Sequence, residues 1–403
     1  MAESASVSKP LSDVRVLDFT RVLAGPFATS LLADLGADVV KVEPPQGDDY
    51  RHIGPFQDGE SVLFQLINRN KHSLALDLKR ADARALVRKL AASADVVVEN
   101  FRPGVAVRLG IGYETLAADN PRLVYASISG FGQEGPDRDR PAFDLVAQAL
   151  SGLMALTGDP AGPPTKVGES IGDLAAGLYC SWAILAALHE RDRTGRGRAV
   201  DVALVDSLVS LLPTAFAQWM VGRHPARTGN RHPLSTPFAA YPARDGHLVI
   251  CVLNSAQFAG LAQCVGAAEL AQDPRYATDE LRTEHEPALR GIIETWLADR
   301  SVAGAVAELA AAGVPVAPVT DAAAVFGGDY VRHRELISGI QHPRLGQLPV
   351  LEQPVHFRGL ARGGQRPAPD LGADAEQVIA RWLTVPHSEA RALMAGAAGM
   401  QRP

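Results

Sequence analysis

The feature that most constrains the fold is a repeated alternation of short apolar strands and helices in the first half of the chain. The first repeat predicts a strand over 14–19, a helix over 27–35 that ends at Gly36, and a second strand over 38–43. Further apolar runs with the length of strands follow at 74–78, 95–99 and 123–128. Strands that alternate with helices pair in parallel, so the sequence predicts an α/β fold with a Rossmann-like parallel sheet.

Length and local composition divide the chain into parts. A chain of 403 residues with 47% hydrophobic content is long enough for two or three domains of roughly 150 residues each. A predicted helix over 204–220, kinked at Pro213, leads into a segment over 221–237 whose Pro, Gly, Asn and His content is typical of a linker. We therefore predict a large domain over 11–222, a small α+β domain over 223–327 and a loop-rich closing segment over 328–403.

Charge and cysteine content exclude several kinds of partner. A formal net charge of −6 and a pI near 6.0 argue against binding to nucleic acid or to anionic membrane surfaces. The three cysteines show no CxxC spacing and the histidines do not pair at ligand spacing, so we expect reduced thiols and no metal site. The sequence shows neither an apolar leader nor an apolar run long enough to cross a bilayer, so we expect a cytoplasmic protein.

Polar loops flank four of the predicted strands. They carry Arg21, Asn70 with Lys71, Arg102, and Gly130 with Gly132. Because the carboxyl ends of parallel strands lie at one edge of a sheet, these loops should converge there. Three of the four loops are basic, which favours a ligand that bears phosphate. For the loop at 70–71, the alternative interpretation is a solvated loop that contacts no ligand. The first loop lacks the GxGxxG pattern, so a nicotinamide dinucleotide is not favoured.

The segment GESIGDLAAG places Asp173 at the start of a long apolar helix, in which apolar residues recur at helical spacing from 174 to 188. In the first turn of a helix, free backbone N–H groups and the helix dipole favour an ionised carboxylate. Gly168 and Gly172 leave room for a substrate, so an exposed, ionised Asp173 can act as a nucleophile. The alternative is that Asp173 only caps its helix.

A carboxylate nucleophile has a particular use with acyl thioesters. The sequence lacks both the GxSxG turn of serine hydrolases and the GxxxxGK[ST] phosphate loop. Attack by a carboxylate on a thioester gives a mixed anhydride, and the released thiolate can attack that anhydride at the aspartyl carbonyl. The protein then holds a thioester and the original acid is free, so one thioester is exchanged for another with little loss of free energy.

Several motifs in one order carry a resemblance to a known family. They are LSDVRVLDFTRVLAGPFATSLLADLGADVVKVEPP, NRNKHSLALDL, VVVENFRPG, SISGFGQEGP, GESIGDLAAG and RTGRGRAVDVAL. The likeness covers about residues 11–385. The sequence resembles the family III coenzyme A transferases, and also the alpha-methylacyl-CoA racemases of the same superfamily.

The resemblance implies an interlocked, ring-like homodimer whose closing segment returns to the large domain. It also implies a coenzyme A thioester as co-substrate and no tightly bound cofactor. By position in the motifs, Asp173 matches the catalytic nucleophile and Asp144 is a candidate for a second catalytic residue. The positions that match coenzyme A contacts are Arg21, Val22, Asn70, Lys71, Asn100, Phe101, Arg108 and Arg140.

Two departures from the relatives narrow the expected activity. The racemases carry a histidine directly before the position of Asp144, whereas this chain has Phe143, which cannot carry a proton to or from the acyl alpha-carbon. The formyl and oxalate branch carries a run of glycines where this chain has HPLSTPF over 232–238, a stretch closer to relatives that use succinyl-CoA and a dicarboxylate. Three basic residues in or near this stretch could bind the second carboxylate of a dicarboxylic acceptor; they are Arg227, Arg231 and His232. The alternative is that these residues belong to a solvated linker and bind no substrate.

We therefore expect a CoA-transferase that moves coenzyme A from an acyl-CoA donor, succinyl-CoA above all, to a small dicarboxylic acid. The reaction would pass through a mixed anhydride and a thioester on Asp173. An acyl-CoA racemase or epimerase of the same superfamily is one alternative. A coenzyme A-binding protein without turnover is the alternative from another class, and it would tolerate the loss of the Asp173 carboxylate.

Overall fold

The computed structural model describes residues 8–360 and 365–398, which form two compact units. The first unit takes in the chain as far as Leu153, then Lys166–Ala217, then the chain from Arg332 onward. The second unit takes in Met154–Thr165 and Gln218–Val331. The predicted limits at 222 and 327 fall within a few residues of these changes of unit, but the sequence did not assign Met154–Thr165 to the small domain.

Strands and helices are numbered in chain order over the described residues. The strands are β1 Arg15–Asp18, β2 Asp38–Glu43, β3 Phe56–Gln57, β4 Glu60–Ser61, β5 His72–Ala75, β6 Val96–Glu99, β7 Val124–Ser129, β8 Ala199–Ala203, β9 Phe238–Ala243, β10 Gly246–Cys251, β11 Val316–Pro318, β12 Ile337–His342 and β13 Gly346–Leu351. The helices are α1 Ala24–Asp34, α2 Val62–Asn68, α3 Ala81–Ala92, α4 Val105–Arg108, α5 Tyr113–Asp119, α6 Asp144–Leu150, α7 Leu153–Leu156, α8 Ile171–Thr194, α9 Leu204–Val209, α10 Pro213–Met220, α11 Ser255–Cys264, α12 Asp279–Glu284, α13 Glu286–Leu297, α14 Val302–Ala311, α15 Ala322–Phe326, α16 Asp329–His333, α17 Ala375–Leu383 and α18 His387–Ala398.

The first unit is built on a six-stranded parallel sheet with the strand order β5-β2-β1-β6-β7-β8. Its central strands are short apolar runs; β6, for example, is three valines and a glutamate, all buried. Leu17 of β1 is aligned with Val40 on one side and with Val97 on the other. The α/β class with a central parallel sheet, predicted from the sequence, is confirmed.

Successive residues of the sheet face two separate hydrophobic cores, because side chains alternate along a strand. Leu17 and Val97 lie in the core that α3, α5, α17 and α18 complete. Val16 and Val96 lie in the opposite core, with α1 and α8. Since α17 and α18 come from the closing segment, that segment packs on the sheet of the first unit.

Helix α8 has 24 residues and packs on α1. A Cβ atom at Gly177 would lie 2.8 Å from the carbonyl oxygen of Ala24, so only glycine permits this close crossing. Contrary to the expectation from sequence, α8 is long and apolar enough by composition to cross a membrane. Half of that apolar window is buried inside the fold, which is equally typical of the core helix of a globular unit.

The second unit combines a three-stranded antiparallel sheet, in the order β11-β10-β9, with a layer of helices. Helices α13 and α14 pack on this sheet, and α11 contributes to the same core. Residues at the centre of that core are Tyr241, Leu248, Ile250, Phe258 and Leu297.

The structure differs from the sequence prediction in two regions, the helix over 204–220 and the closing segment. The helix predicted over 204–220 is two helices, α9 and α10, because Pro213 has no N–H group to bond to the preceding turn and instead begins a new helix. The closing segment is not loop-rich throughout, since β12 and β13 form an antiparallel hairpin in which His342 is aligned with Gly346. Helices α17 and α18 then follow within the same segment.

Candidate active site

Asp173 lies in the first turn of α8, as predicted, and lines a cavity of about 260 Å³ in the first unit. The residues that follow β1, β6 and β7 also line this cavity, so it lies at the carboxyl edge of the sheet. The loops after these three strands therefore converge, as the sequence predicted. The predicted site residues that the cavity brings together are Arg21, Val22, Asn100, Phe101, Arg140 and Asp173.

The Asp173 carboxyl group is not the exposed, fully ionised group that the sequence led us to expect. Burial raises its pKa, and the nearby charge of Asp144 raises it further, to about 7. Among the described residues, no group donates a hydrogen bond to it. The dipole of α8 favours the ionised form, but its contribution of roughly 0.3–1 kcal/mol is smaller than the two opposing effects.

Asp144 begins α6 and caps α8 from outside that helix. Its Oδ1 accepts the backbone N–H of Gly172 at 2.7 Å, whereas the side chain of Ser170, at the N-cap, makes no capping hydrogen bond. A Cβ atom at Gly172 would lie 3.0 Å from the same oxygen, so a glycine suits this approach. Asp144 thus performs the capping that was the alternative role for Asp173.

The loop that follows β1 is fixed from three directions. Asn100 accepts the N–H of Arg21 at 2.8 Å and donates to its carbonyl at 2.7 Å. Asp48 accepts the N–H of Val22 at 3.1 Å, and Lys41 donates at 2.7 Å to the carbonyl of the residue before Arg21. These contacts hold Val22 at a φ of 68°. Such a conformation costs a β-branched residue on the order of 1–3 kcal/mol, so the cavity wall stores backbone strain.

Lys71 lies in the core of the first unit and does not line the cavity. Its ammonium group is fully buried and donates to Asp18 at 3.1 Å, to Asn68 at 2.9 Å and to the carbonyl of Pro26 at 3.0 Å. Burial lowers its pKa to about 8, against the opposing charge of Asp18. An ammonium group has three donors, and all three have protein partners, so we assign Lys71 to the interior instead of to a ligand contact.

Asn70 and Arg108 also lie outside the cavity lining. The side chain of Asn70 donates to Asp34 at 2.8 Å and accepts the N–H of Arg366 at 2.8 Å, so it ties the closing segment to α1. Arg108 is the last residue of α4 and is exposed.

Four arginines line the cavity of Asp173: Arg21, Arg102, Arg138 and Arg140. The turn with Arg102 was recognised in the sequence as basic, but Arg138 was missed. A signal was present, because Arg138 lies two residues before Arg140 in the same charged segment. Arg140 pairs with Asp137 at 2.9 Å, and both side chains are half exposed.

A second cavity, of about 230 Å³, shares Arg21 and Phe101 with the first. Its wall is mainly apolar, and the guanidinium of Arg21 lies 5.6 Å from the ring centre of Phe101. The other residues that line it are Phe19, Val42, Glu43, Pro44, Leu76, Asp77, Leu78, Lys79, Val105 and Leu109. An apolar slot beside cations suits an aromatic ring attached to phosphate. In the part of the chain that the structure describes, no group of three His, Cys, Asp or Glu side chains is arranged to hold a metal ion.

The three predicted acceptor residues lie in the second unit. Nδ1 of His232 accepts the N–H groups of the residues two and three positions later, at 3.3 and 3.1 Å, so the ring closes a local turn. Arg231 lines a cavity of about 320 Å³ together with His247 and Arg290. One guanidinium nitrogen of Arg227 is buried and has no hydrogen-bond partner among the described residues.

Comparison with known proteins gives the chain a family. The profile of the family described as CoA-transferase family III matches residues 11–375. The acetyl-CoA:oxalate CoA-transferase of Acetobacter aceti is 45% identical over 317 residues, which are 78% of this chain and 82% of that protein. The succinyl-CoA:glutarate CoA-transferase of Mus musculus is 39% identical over 374 residues, which are 92% of this chain and 86% of that protein.

A solved structure agrees with this assignment. The crystal structure of a CAIB/BAIF family protein from Brucella suis matches with a TM-score of 0.82 and 36% sequence identity. The match covers 93% of this chain and 100% of that chain. Taken with the sequence matches, it shows that the chain belongs to CoA-transferase family III and is an enzyme of that class.

Proposed function

We propose that this CoA-transferase moves coenzyme A from succinyl-CoA to a small dicarboxylic acid, with Asp173 as the nucleophile. The observation that carries the proposal is one cavity in which four arginines accompany the Asp173 carboxyl group at the start of α8, and no described residue donates a hydrogen bond to that group. Arginines can hold an anionic thioester and an anionic acid, while an unpaired carboxylate is free to attack.

The first half of the proposed cycle transfers coenzyme A to the enzyme. The Asp173 carboxylate attacks the thioester carbonyl of the donor, the C–S bond breaks, and the coenzyme A thiolate leaves. The product is a mixed anhydride between Asp173 and the donor acid. The thiolate then attacks the aspartyl carbonyl of this anhydride, which releases the donor carboxylate and leaves a thioester between Asp173 and coenzyme A.

The second half runs the same steps in the opposite direction with the acceptor. The acceptor carboxylate attacks the aspartyl thioester, and coenzyme A leaves as a thiolate. The thiolate then attacks the acceptor carbonyl of the new anhydride, so that acyl-CoA is formed and the Asp173 carboxylate is restored. No proton is gained or lost over the cycle, which suits a nucleophile that has no hydrogen-bonded acid or base among the described residues.

The electrostatics of Asp173 support its role as attacking group. Burial and the charge of Asp144 raise its pKa to about 7, so its carboxylate is more basic than an ordinary aspartate. A more basic carboxylate is the stronger nucleophile. Because this pKa lies near neutrality, the reactive ionised form is accessible in the free enzyme at neutral pH.

The second cavity supports a site for the nucleotide end of coenzyme A. Its apolar wall can accept the adenine ring, and Arg21 and Lys79 offer charges for phosphate groups at its edge. Because Arg21 and Phe101 border both cavities, a ligand that starts in the second can reach Asp173 in the first. The predicted contacts at Asn70 and Lys71 have no part in this proposal.

The names of the two relatives support a dicarboxylate acceptor, since one acts on oxalate and the other on glutarate. They differ in donor, acetyl-CoA in one and succinyl-CoA in the other. We propose succinyl-CoA because the relative that uses it matches more of this chain. The oxalate relative counts against our expectation that the stretch over 232–238 disfavours oxalate, so oxalate belongs among the acceptors to be tested.

We also propose an interlocked homodimer. In the first unit α8 exposes Leu178, Trp182 and Leu185, and Trp182 is 67% exposed. Apolar side chains clustered at a surface mark a site of association. Light scattering should give twice the chain mass of 42.7 kDa, and Trp182→Glu should shift the protein toward the single-chain mass. A single-chain mass for the wild type would contradict the dimer.

A cytoplasmic location is likewise our proposal. All three cysteines are free thiols, and Cys180 is fully buried. Free thiols are typical of a reducing compartment. Fractionation of cells that produce the full chain would test it, and recovery of the protein outside the cytoplasm would contradict it.

The proposed reaction is tested by incubating purified protein with succinyl-CoA and a pool that contains oxalate, glutarate and other small dicarboxylic acids. Mass spectrometry should detect a new acyl-CoA, whose mass names the acceptor, and Asp173→Ala should form none. The racemase alternative predicts instead that deuterium from heavy water enters the alpha position of a branched acyl-CoA. Deuterium uptake without a new thioester would overturn our proposal.

A further inference from the structure

Gln148 lies on α6, one turn after Asp144, and its side chain is fully buried. Its amide nitrogen donates to Oδ2 of Asp144 at 2.7 Å and lies 3.4 Å from the carbonyl oxygen of Glu169. Its amide oxygen accepts the N–H of Val167 at 2.9 Å. Only this orientation of the amide gives each atom a suitable partner. One buried side chain therefore joins α6 to the segment that leads into α8.

This contact completes the hydrogen bonds of the Asp144 carboxylate. Oδ1 accepts the N–H of Gly172 and Oδ2 accepts the amide of Gln148, both at 2.7 Å. With a donor on each oxygen, the carboxylate is fixed in rotation. Asp173 directly follows Gly172, and no described residue donates a hydrogen bond to its carboxyl group. The Asp144 carboxylate is therefore held by two hydrogen bonds, and the Asp173 carboxyl group is not held in this way.

We propose that Gln148 is a positioning residue for the transfer reaction, which orients Asp144 as a fixed negative charge beside Asp173 and tethers the segment 167–169 in front of α8. The inference rests on the proposed role of Asp173 as nucleophile. Gln148 and Gly172 supply a donor to each oxygen of Asp144, whereas no described residue donates to Asp173, so Asp173 is the carboxyl group left free to attack. Because the charge of Asp144 raises the pKa of Asp173, Gln148 supports the basicity of the nucleophile through the position of Asp144.

The other groups that face Asp173 do not replace Asp144 in this role. Burial and the charge of Asp173 raise the pKa of the Tyr50 hydroxyl above its ordinary value, so Tyr50 is uncharged at neutral pH. The remaining charged side chains that line the cavity are Arg21, Asp49, Arg102, Arg138 and Arg140. The charge that raises the pKa of Asp173 is that of Asp144, and none of these groups adds to it.

The test compares Gln148→Leu with Gln65→Leu as a matched control. Gln65 is also a buried helical glutamine, and its amide meets one carboxylate, on Glu60 at 3.4 Å, and one backbone N–H, of Ala368 at 3.0 Å. It does not line the cavity of Asp173. Both variants lose a buried amide, so thermal melts should show a similar loss of stability. Only Gln148→Leu should change the rate of coenzyme A transfer and its dependence on pH.

The readout is kcat/KM of the full chain between about pH 5 and about pH 9, since its acid limb reports the ionisation of the free enzyme. In Gln148→Leu, the Asp144 carboxylate loses one of its two donors and can turn away from Asp173, so the limb should move to lower pH by about half a unit or more. The value of kcat/KM above the limb should fall about tenfold, because the carboxylate pair is no longer oriented. Gln65→Leu should keep the limb of the wild type.

Two further variants separate the roles of Gln148. In an Asp144→Asn background there is no charge to orient, so Gln148→Leu should add little to the loss. Gln148→Glu keeps an acceptor for Val167 but removes the donor to Asp144, so it should lose as much activity as Gln148→Leu.

Three results would overturn the proposal. They are an unchanged acid limb in folded Gln148→Leu, an equal further loss in both backgrounds, and wild-type turnover by Gln148→Glu. Failure of the proposed function looks different, because then the wild type would transfer no coenzyme A or Asp173→Asn would still transfer it.

Discussion

Asn100, which follows β6, binds both backbone groups of Arg21, which lies 79 residues earlier in the chain. Parallel neighbours β1 and β6 end side by side, so one carboxamide can pair with the adjacent loop as another strand would. The contact fixes a wall of the cavity that holds Asp173. It therefore connects the order of strands in the sheet to the shape of the active site.

Asn100→Ala is expected to raise the KM for acyl-CoA about tenfold with a smaller change in kcat, because the loop with Arg21 loses its anchor. The free energy of unfolding should fall by about 1–2 kcal/mol, since two backbone groups lose their partner. Asn120→Ala is the matched control, because Asn120 also donates to backbone carbonyls, those of Ala91 and Ala94, but does not line the cavity. An equal change of KM in both variants would refute the anchoring role.

Asp173→Asn is expected to stabilise the folded protein above pH 7. The pKa of Asp173 rises from 3.8 to about 7 on folding, so between these pH values the unfolded chain has lost a proton that the fold keeps. The stability that this proton confers is lost as pH rises through that window. Urea unfolding should show a gain of about 1–3 kcal/mol near pH 8, and the gain should shrink toward pH 4. The same gain at both ends of the window would contradict the raised pKa.

Lys71→Met is expected to destabilise the protein by about 3 kcal/mol, because it leaves Asp18 buried with one cationic partner fewer. Lys89→Met, on the exposed face of α3, should change stability by less than about 0.5 kcal/mol. The fraction of Lys71→Met that remains folded should bind coenzyme A normally in calorimetry. Unchanged stability with lost binding would restore the interpretation of Lys71 as a ligand contact.

Gly177→Ala should destabilise the protein by about 1–3 kcal/mol, since its Cβ would lie 2.8 Å from the carbonyl oxygen of Ala24 on α1. Gly291→Ala on α13 is the control, because no atom lies within 4 Å of the Cβ it would add. Alanine is the better helix former, so that variant should gain about 0.5–1 kcal/mol. Thermal denaturation measures both, and a loss of the same size in the two variants would argue against a close α1–α8 crossing.

Much of the fold and of the cavity wall follows from local sequence. Runs such as the three valines of β6 predict buried parallel strands, and parallel strands bring the loops with Arg21 and Asn100 to one edge. The position of Asp173 in the first turn of α8 follows from helical periodicity that begins directly after it.

The properties that were wrong or missed depend on partners far away in the chain. Lys71 stands among polar residues in the sequence, but its partner Asp18 comes from a strand 53 residues earlier and draws it into the core. The raised pKa of Asp173 depends on Asp144, which contacts Gly172 from 28 residues earlier. Gln148 has no motif at all, because its role arises only where α6 meets the start of α8.

The most direct measurement is the mass of the peptide that carries Asp173 after the enzyme has been incubated with succinyl-CoA in the absence of an acceptor. We expect this peptide to gain coenzyme A less one water. The adduct should disappear when glutarate is added, as glutaryl-CoA appears, and it should be absent from Asp173→Asn. Transfer of coenzyme A to glutarate by the wild type without this adduct, or by Asp173→Asn at all, would contradict a thioester on Asp173.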